Sequence, residues 1–76
     1  MTLMQQHDDR QQAVARISAI AEQMGRFSTA THELTLQPNS PEIHVRDLRT
    51  SRLVAYSSTK ADYDQSLAEF VFDYLV

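Results

Sequence analysis

The sequence predicts a small α+β domain of two layers, in the order helix, three-stranded antiparallel meander, helix. Apolar residues recur at helical spacing near both ends of the chain, and three short segments between them alternate apolar with polar residues. The 76 residues are too few for two independent cores, so residues 1–76 are expected to form one domain. Both helices should cover one face of the sheet and leave the other face open.

The first helix is predicted over residues 5–24, where apolar side chains return every three or four positions. Its apolar stripe consists of Val14, Ile17, Ile20, Ala21 and Met24. The only glycine of the chain, Gly25, follows that stripe at once, which is typical of a left-handed helix C-cap. Residues 1–9 are expected to fray at the start of this helix.

Strands are predicted over residues 32–37, 42–47 and 52–57 from their alternating pattern. The inward-facing residues of the first two would be Leu34, Leu36, Ile43 and Val45. Turn-forming residues fill the gap at 37–41, and a hairpin connection at 47–51 leads into the third strand. Two alternatives remain for the side chains of that strand that face the core: Leu53 with Ala55, or Val54 with Tyr56.

The final helix is predicted over residues 59–76 and carries more apolar surface than a small domain can easily cover. Thr59 and Asp62 have the spacing of a capping box at its start. The stripe expected in the core is Tyr63, Leu67, Phe70, Val71 and Tyr74. An adjoining apolar shoulder consists of Ala68, Phe72 and Leu75. We expect this shoulder to contact a partner or a second copy of the chain.

The charged residues suggest a second contact surface in the hairpin. A basic cluster is expected there, consisting of His44, Arg46, Arg49, Arg52 and Tyr56. Its cations and aromatic ring suit an acidic protein surface or a nucleic acid, but the pattern favours a solvated outer sheet face over both. The net charge of −3 disfavours nucleic acid, because such a protein has no general attraction for phosphates.

No catalytic, cofactor-binding or metal-binding residue is predicted. The three histidines, His7, His32 and His44, lie far apart in sequence, and there is no cysteine to complete a zinc site or a disulfide. Residues 57–60 read Ser-Ser-Thr-Lys, which matches a serine acyl-enzyme string, but a strand end followed by a helix start explains them. The absence of cysteine and of an apolar signal or spanning run suits a cytoplasmic protein without a membrane segment.

Part of the hairpin resembles a known family. Residues 43–47, with Thr50 and the pair Leu53 and Val54 before a helix, resemble the hairpin-then-helix pattern of the flagellar FlaG family. That family tends to show Ile-Pro before its helix, where this chain has Ser57 and Ser58, so the resemblance implies no assignment. By size, acidity and lack of a motif, the chain also resembles, as a type only, small phage-encoded inhibitors of bacterial systems such as anti-CRISPR proteins.

The sequence therefore favours a small, non-enzymatic protein that acts by binding a larger partner, in a regulatory or inhibitory role. A nucleic-acid-binding accessory protein that uses the basic cluster is the first alternative. A structural homodimer subunit, with the apolar shoulder at its interface, is the second.

Overall fold

The computed structural model describes the backbone of residues 3–76 and the side chains of residues 9–76. The elements are α1 (Leu3–Met24), β1 (Arg26–Ser28), β2 (His32–Leu36), β3 (Ile43–Asp47), β4 (Arg52–Ser57), a 3₁₀ turn (Lys60–Asp62), α2 (Tyr63–Phe70) and a π turn (Val71–Leu75). Met1 and Thr2 lie outside the described residues, and the fraying of residues 1–9 stays a prediction. Neither helix of residues 3–76 is long and apolar enough to span a bilayer.

The predicted α+β class is confirmed, but the prediction of a three-stranded meander is wrong. The sheet has four antiparallel strands in the order β1-β2-β3-β4. The missed strand, β1, follows Gly25 directly and has one apolar residue, Phe27, which lies opposite Leu34 of β2. Three residues are too few to show an alternating pattern, so no strand signal is present there in the sequence.

The end of α1 forms as predicted. Gly25 has a φ of 78°, and its N–H donates to the carbonyl oxygen of Ala21 at 2.7 Å, so it ends the helix in the left-handed conformation. The carbonyl oxygen of Gly25 accepts a 2.9 Å hydrogen bond from the N–H of Leu36. The same residue therefore ends the helix and ties its end to the sheet.

The core lies between one face of the sheet and the two helices. Its buried residues are Ala21, Leu34, Ile43, Val45, Leu67, Val71 and Leu75. The predicted inward orientation of Leu34, Ile43 and Val45 is confirmed, and Leu36 packs at the margin of the same cluster. The opposite face of the sheet is left without a covering layer by the described helices.

An extra residue in β4 decides which of its side chains face solvent. Ala55 lies opposite Val45 and Leu53 lies opposite Arg46, so Val54 has no partner in the register. Neither inner pair considered from the sequence is present, because Ala55 packs on the core while Leu53 and Val54 do not. The exposed fractions are 46% for Leu53, 39% for Val54 and 50% for Tyr56.

The final helix starts differently from the prediction. Thr59 is extended, with φ −89° and ψ 112°, and its side chain makes no capping hydrogen bond. A 3₁₀ turn precedes α2, so the capping box predicted for Thr59 and Asp62 is wrong. The spacing of Thr59 and Asp62 suits the first turn of an α-helix, but a tighter 3₁₀ turn takes its place here.

The end of this helix corrects the predicted apolar shoulder. The expected core stripe is confirmed, with Leu67 and Val71 buried and Tyr63, Phe70 and Tyr74 packed against the core. Leu75, expected at the surface, is only 6% exposed. Residues 71–75 form a π turn, in which each residue rotates about the helix axis by less than in the α-helix assumed from the sequence. Leu75 therefore lies on the core side.

Candidate interaction surfaces

The uncovered outer face of the sheet carries two rows of side chains, which follow from the strand register. One row is Arg26, Thr35, His44 and Tyr56, and the other is Ser28, Glu33, Arg46 and Leu53. At the β4 end of these rows, Leu53, Val54 and Tyr56 form what we call the apolar edge patch. The described chain places no helix over these rows, so the patch meets solvent directly.

Tyr56 is held in place by a small polar network. Its hydroxyl donates to Oε1 of Glu42 at 3.3 Å, and Nε2 of His44 lies 3.3 Å from the same oxygen. The His44 and Tyr56 rings meet edge to face, with centroids 5.0 Å apart and an angle of 68°. The hydroxyl of Ser40 donates to Oε2 of Glu42 at 3.0 Å. This hydrogen bond and that of His44 lower the pKa of the Glu42 carboxyl.

Arg46 lies on the same face as this network and stiffens the hairpin. Its Nη1 donates to the carbonyl oxygen of Ser51 at 2.7 Å, which holds the guanidinium beside Leu53. The structure therefore brings three members of the predicted basic cluster, His44, Arg46 and Tyr56, onto one surface.

The other two members of the basic cluster lie elsewhere. Arg49 is in the β3–β4 turn, where its Nη2 lies 3.3 Å from Oδ2 of Asp47 and its backbone N–H donates to Oδ1 at 2.8 Å. These hydrogen bonds to Arg49 lower the pKa of the nearly buried Asp47 carboxyl. Arg52 is exposed and lies opposite Asp47 of β3. It therefore belongs to neither of the two outer rows, because side chains alternate between the two faces of a sheet.

A second apolar surface lies between α1 and α2. Ala68 and Phe72 of the predicted shoulder line an open groove of about 280 Å³ together with Val14. Phe72 is 42% exposed, and the guanidinium carbon of Arg10 lies 5.6 Å from its ring centroid. The groove is completed by Gln11, Glu69 and Asp73. Leu75 takes no part in it because it is buried.

Sequence reasoning missed two features of these surfaces. Leu48, in the β3–β4 turn, is 42% exposed, and an apolar residue among turn formers was the available signal. The joint exposure of Leu53 and Val54 had no such signal, because it depends on the extra residue in β4.

The ionisable side chains of residues 9–76 are not grouped into a metal site. They include no group of three or more His, Cys, Asp or Glu side chains able to hold a metal ion, and the side chain of His7 lies outside the described residues. An open cleft of about 550 Å³ lies beside Tyr63, whose pKa is raised by burial. Lys60 and Asp64 also line this cleft. The absence of catalytic, cofactor and metal sites stays a prediction.

Comparison of the chain with family models, with curated proteins and with solved structures gives no match. The resemblance of the hairpin to the FlaG pattern therefore receives no support from a family model.

Proposed function

We propose that this protein is a small, non-enzymatic binding module that docks on a partner protein through the outer face of its sheet, with the apolar edge patch at the centre of the contact. The observation that carries the proposal is that Leu53, Val54 and Tyr56 stay 46%, 39% and 50% exposed beside one another on a single strand. Contiguous exposed apolar side chains with polar residues around them are typical of protein interfaces.

The side chains around the patch are suited to a contact of high affinity. Tyr and Arg are the residue types that most often dominate interface energies, and Tyr56 and Arg46 are both present here. Hydrogen bonds hold Tyr56 to Glu42 and Arg46 to Ser51 in the free protein. Since these side chains are already ordered, binding would cost less conformational entropy.

Packing of side chains, rather than addition of a strand, is the binding mode that we propose. The extra residue Val54 interrupts the regular edge of β4, and the hydroxyl of Tyr74 lies 3.5 Å from the carbonyl oxygen of Val54. Bulges and covered carbonyls are devices that blunt a sheet edge against pairing. A partner would therefore meet the side chains of the patch more readily than its main chain.

The charges of the outer face favour a protein partner over a nucleic acid. Arg26 and Arg46 are balanced there by Glu33 and Glu42, which would repel a phosphate backbone. A partner surface of mixed charge suits this arrangement better than a uniformly acidic one. Within the proposal, the protein acts in the cytoplasm as a regulatory or inhibitory factor by occupying that surface.

The test is quantitative affinity capture from extracts of the native host, with the wild type, Leu53→Glu and the matched control Ser28→Glu as baits. Ser28 and Leu53 lie in the same outer row at opposite edges of the sheet. We expect a partner that the wild type and Ser28→Glu enrich about tenfold or more over Leu53→Glu. Equal capture by Leu53→Glu, with all three proteins folded by circular dichroism, would contradict the proposal.

The nucleic-acid alternative is tested separately by fluorescence anisotropy with DNA and RNA oligonucleotides at low salt. The proposal predicts no binding. Binding that weakens in Arg46→Ala and declines linearly with the logarithm of salt concentration would replace the proposal with the alternative.

A further inference from the structure

We infer that the protein also associates with a second copy of itself, with the β3–β4 turn of one copy in the groove between α1 and α2 of the next. The inserted residue would be Leu48, and the groove would receive it between Val14, Ala68 and Phe72. This contact uses none of the residues of the apolar edge patch, so it does not rest on the function proposed above.

The turn presents Leu48 in a fixed conformation. The N–H of Leu48 donates to the carbonyl oxygen of Thr31 at 2.8 Å, and the N–H of Ser51 donates to that of Asp47 at 2.8 Å. The Asp47 carboxylate also accepts the N–H of Arg49 at 2.8 Å. Leu48 is nevertheless 42% exposed at the end of this hydrogen-bonded turn. An apolar side chain held outward in this way is suited to insertion into a pocket.

The groove is suited to a single side chain. Its volume of about 280 Å³ is below the range usual for pockets that enclose small-molecule ligands. Its lining is mainly apolar, through Val14, Ala68 and the exposed part of Phe72. The cation of Arg10 contacts the Phe72 ring but leaves 42% of that residue accessible.

Opposite charges around the two surfaces favour a second copy as the occupant. Residues 46–52 carry three arginines and one aspartate, whereas residues 61–76 carry four acidic residues and no basic one. Two of these acids, Glu69 and Asp73, lie at the groove itself, where Arg10 of α1 is a neighbouring cation. When Leu48 enters the groove, Arg49 and Arg52 approach these carboxylates, which provides electrostatic complementarity across the contact.

Each copy has one turn and one groove, so the contact joins unlike surfaces. Such head-to-tail contacts extend from copy to copy unless a ring closes. The average mass of the purified protein should therefore rise with concentration above the 8.7 kDa of the monomer. High salt should reduce this rise, because it screens the exposed charges.

Sedimentation equilibrium over a concentration series tests the inference with three single variants. Leu48→Glu removes the inserted side chain, Phe72→Glu alters the groove, and Ile20→Glu is the control, since all three residues are 42% exposed in the wild type. We expect the first two variants to remain monomeric, while Ile20→Glu associates like the wild type. Leu48→Ser and Phe72→Ser repeat the test if a glutamate variant fails to fold.

Mixing the variants provides the decisive result. Leu48→Glu retains its groove and Phe72→Glu retains its turn, so an equal mixture should form a dimer and stop there. A monomeric wild type at every concentration, or a mixture that stays monomeric, would overturn the inference. Association that survives both variants and is lost in Leu53→Glu would also overturn it and would place the self-contact at the apolar edge patch.

Discussion

The two edge strands of the sheet occupy equivalent positions but differ in the exposure of their apolar side chains. Each is preceded by a residue in the left-handed conformation, Gly25 with a φ of 78° before β1 and Ser51 with a φ of 60° before β4. β1 has three residues, and its one apolar side chain, Phe27, packs against the core. β4 has six residues and leaves three apolar side chains exposed.

Strand register, more than composition, determines which side chains are exposed at the two edges. Phe27 lies opposite Leu34 in a regular register, and α1 packs beside β1. In β4 the unpaired residue Val54 separates Ala55, which packs on the core, from Leu53, which does not. One additional residue thus leaves apolar side chains in solvent that a helix or a partner would have to cover.

The largest difference between the edges is expected from alanine substitutions. Phe27→Ala should lower the free energy of unfolding by about 2 kcal/mol, because a partly buried aromatic ring is lost from the core margin. Leu53→Ala should change the free energy of unfolding by less than about 0.5 kcal/mol, because the Leu53 side chain does not pack on the core. Urea denaturation with an unchanged slope measures both. Equal losses would show that β4 is packed as β1 is.

A smaller effect is expected at the residues that precede the two strands. Gly25→Ala should cost about 1 kcal/mol, since a left-handed alanine is strained even though a Cβ at this site meets nothing within 4 Å. Ser51→Gly should instead stabilise the protein by up to about 0.5 kcal/mol, since it removes the same strain. A stabilising Gly25→Ala in thermal unfolding would contradict the assigned conformation.

The loss of stability in acid should depend on carboxyl groups at the β4 side of the sheet. Asp47 and Glu42 both lie beside β4, and the folded state lowers the pKa of each carboxyl through hydrogen bonds, chiefly from Arg49 and Ser40 respectively. Their stabilisation is present above the ordinary carboxyl pKa and is lost as the pH falls through the lowered folded value. We therefore expect the urea midpoint to decrease below about pH 4.

The variant Asp47→Asn tests the source of this acid response. It should have a lower urea midpoint at neutral pH and a flatter decline in acid than the wild type. Gln23→Ala, an exposed change on α1, is the control and should leave the decline unchanged. An unchanged decline in Asp47→Asn would assign the acid response to other groups.

Local pattern predicted those parts of the fold in which one period runs without interruption. Part of the α1 stripe, the end of α1 at Gly25 and the inward residues Leu34 and Val45 follow from spacing and from the freedom of glycine. The rest of that stripe does not face the core as predicted, because Ile20 and Met24 are 42% and 69% exposed. β1 could not be predicted, because three residues contain too little pattern. Its pairing depends on tertiary contact with β2.

The candidate surfaces were only partly predictable for a related reason. His44, Arg46 and Tyr56 were expected near one another, and simple alternation brings them together. The exposure of Leu53 depends on an extra residue in β4, and the burial of Leu75 depends on a π turn. Each irregularity changes the spacing at which side chains return to the same face. A prediction that assumes a constant spacing cannot detect such a change.

Amide chemical-shift mapping can locate the proposed docking of a partner on the outer face at β4. The isotope-labelled protein would be titrated with the partner that the wild type captures and Leu53→Glu does not. We predict the largest shifts at Leu53, Val54 and Tyr56, with further shifts at His44 and Arg46. Shifts confined to α1 and α2, with β4 unchanged, would contradict this docking.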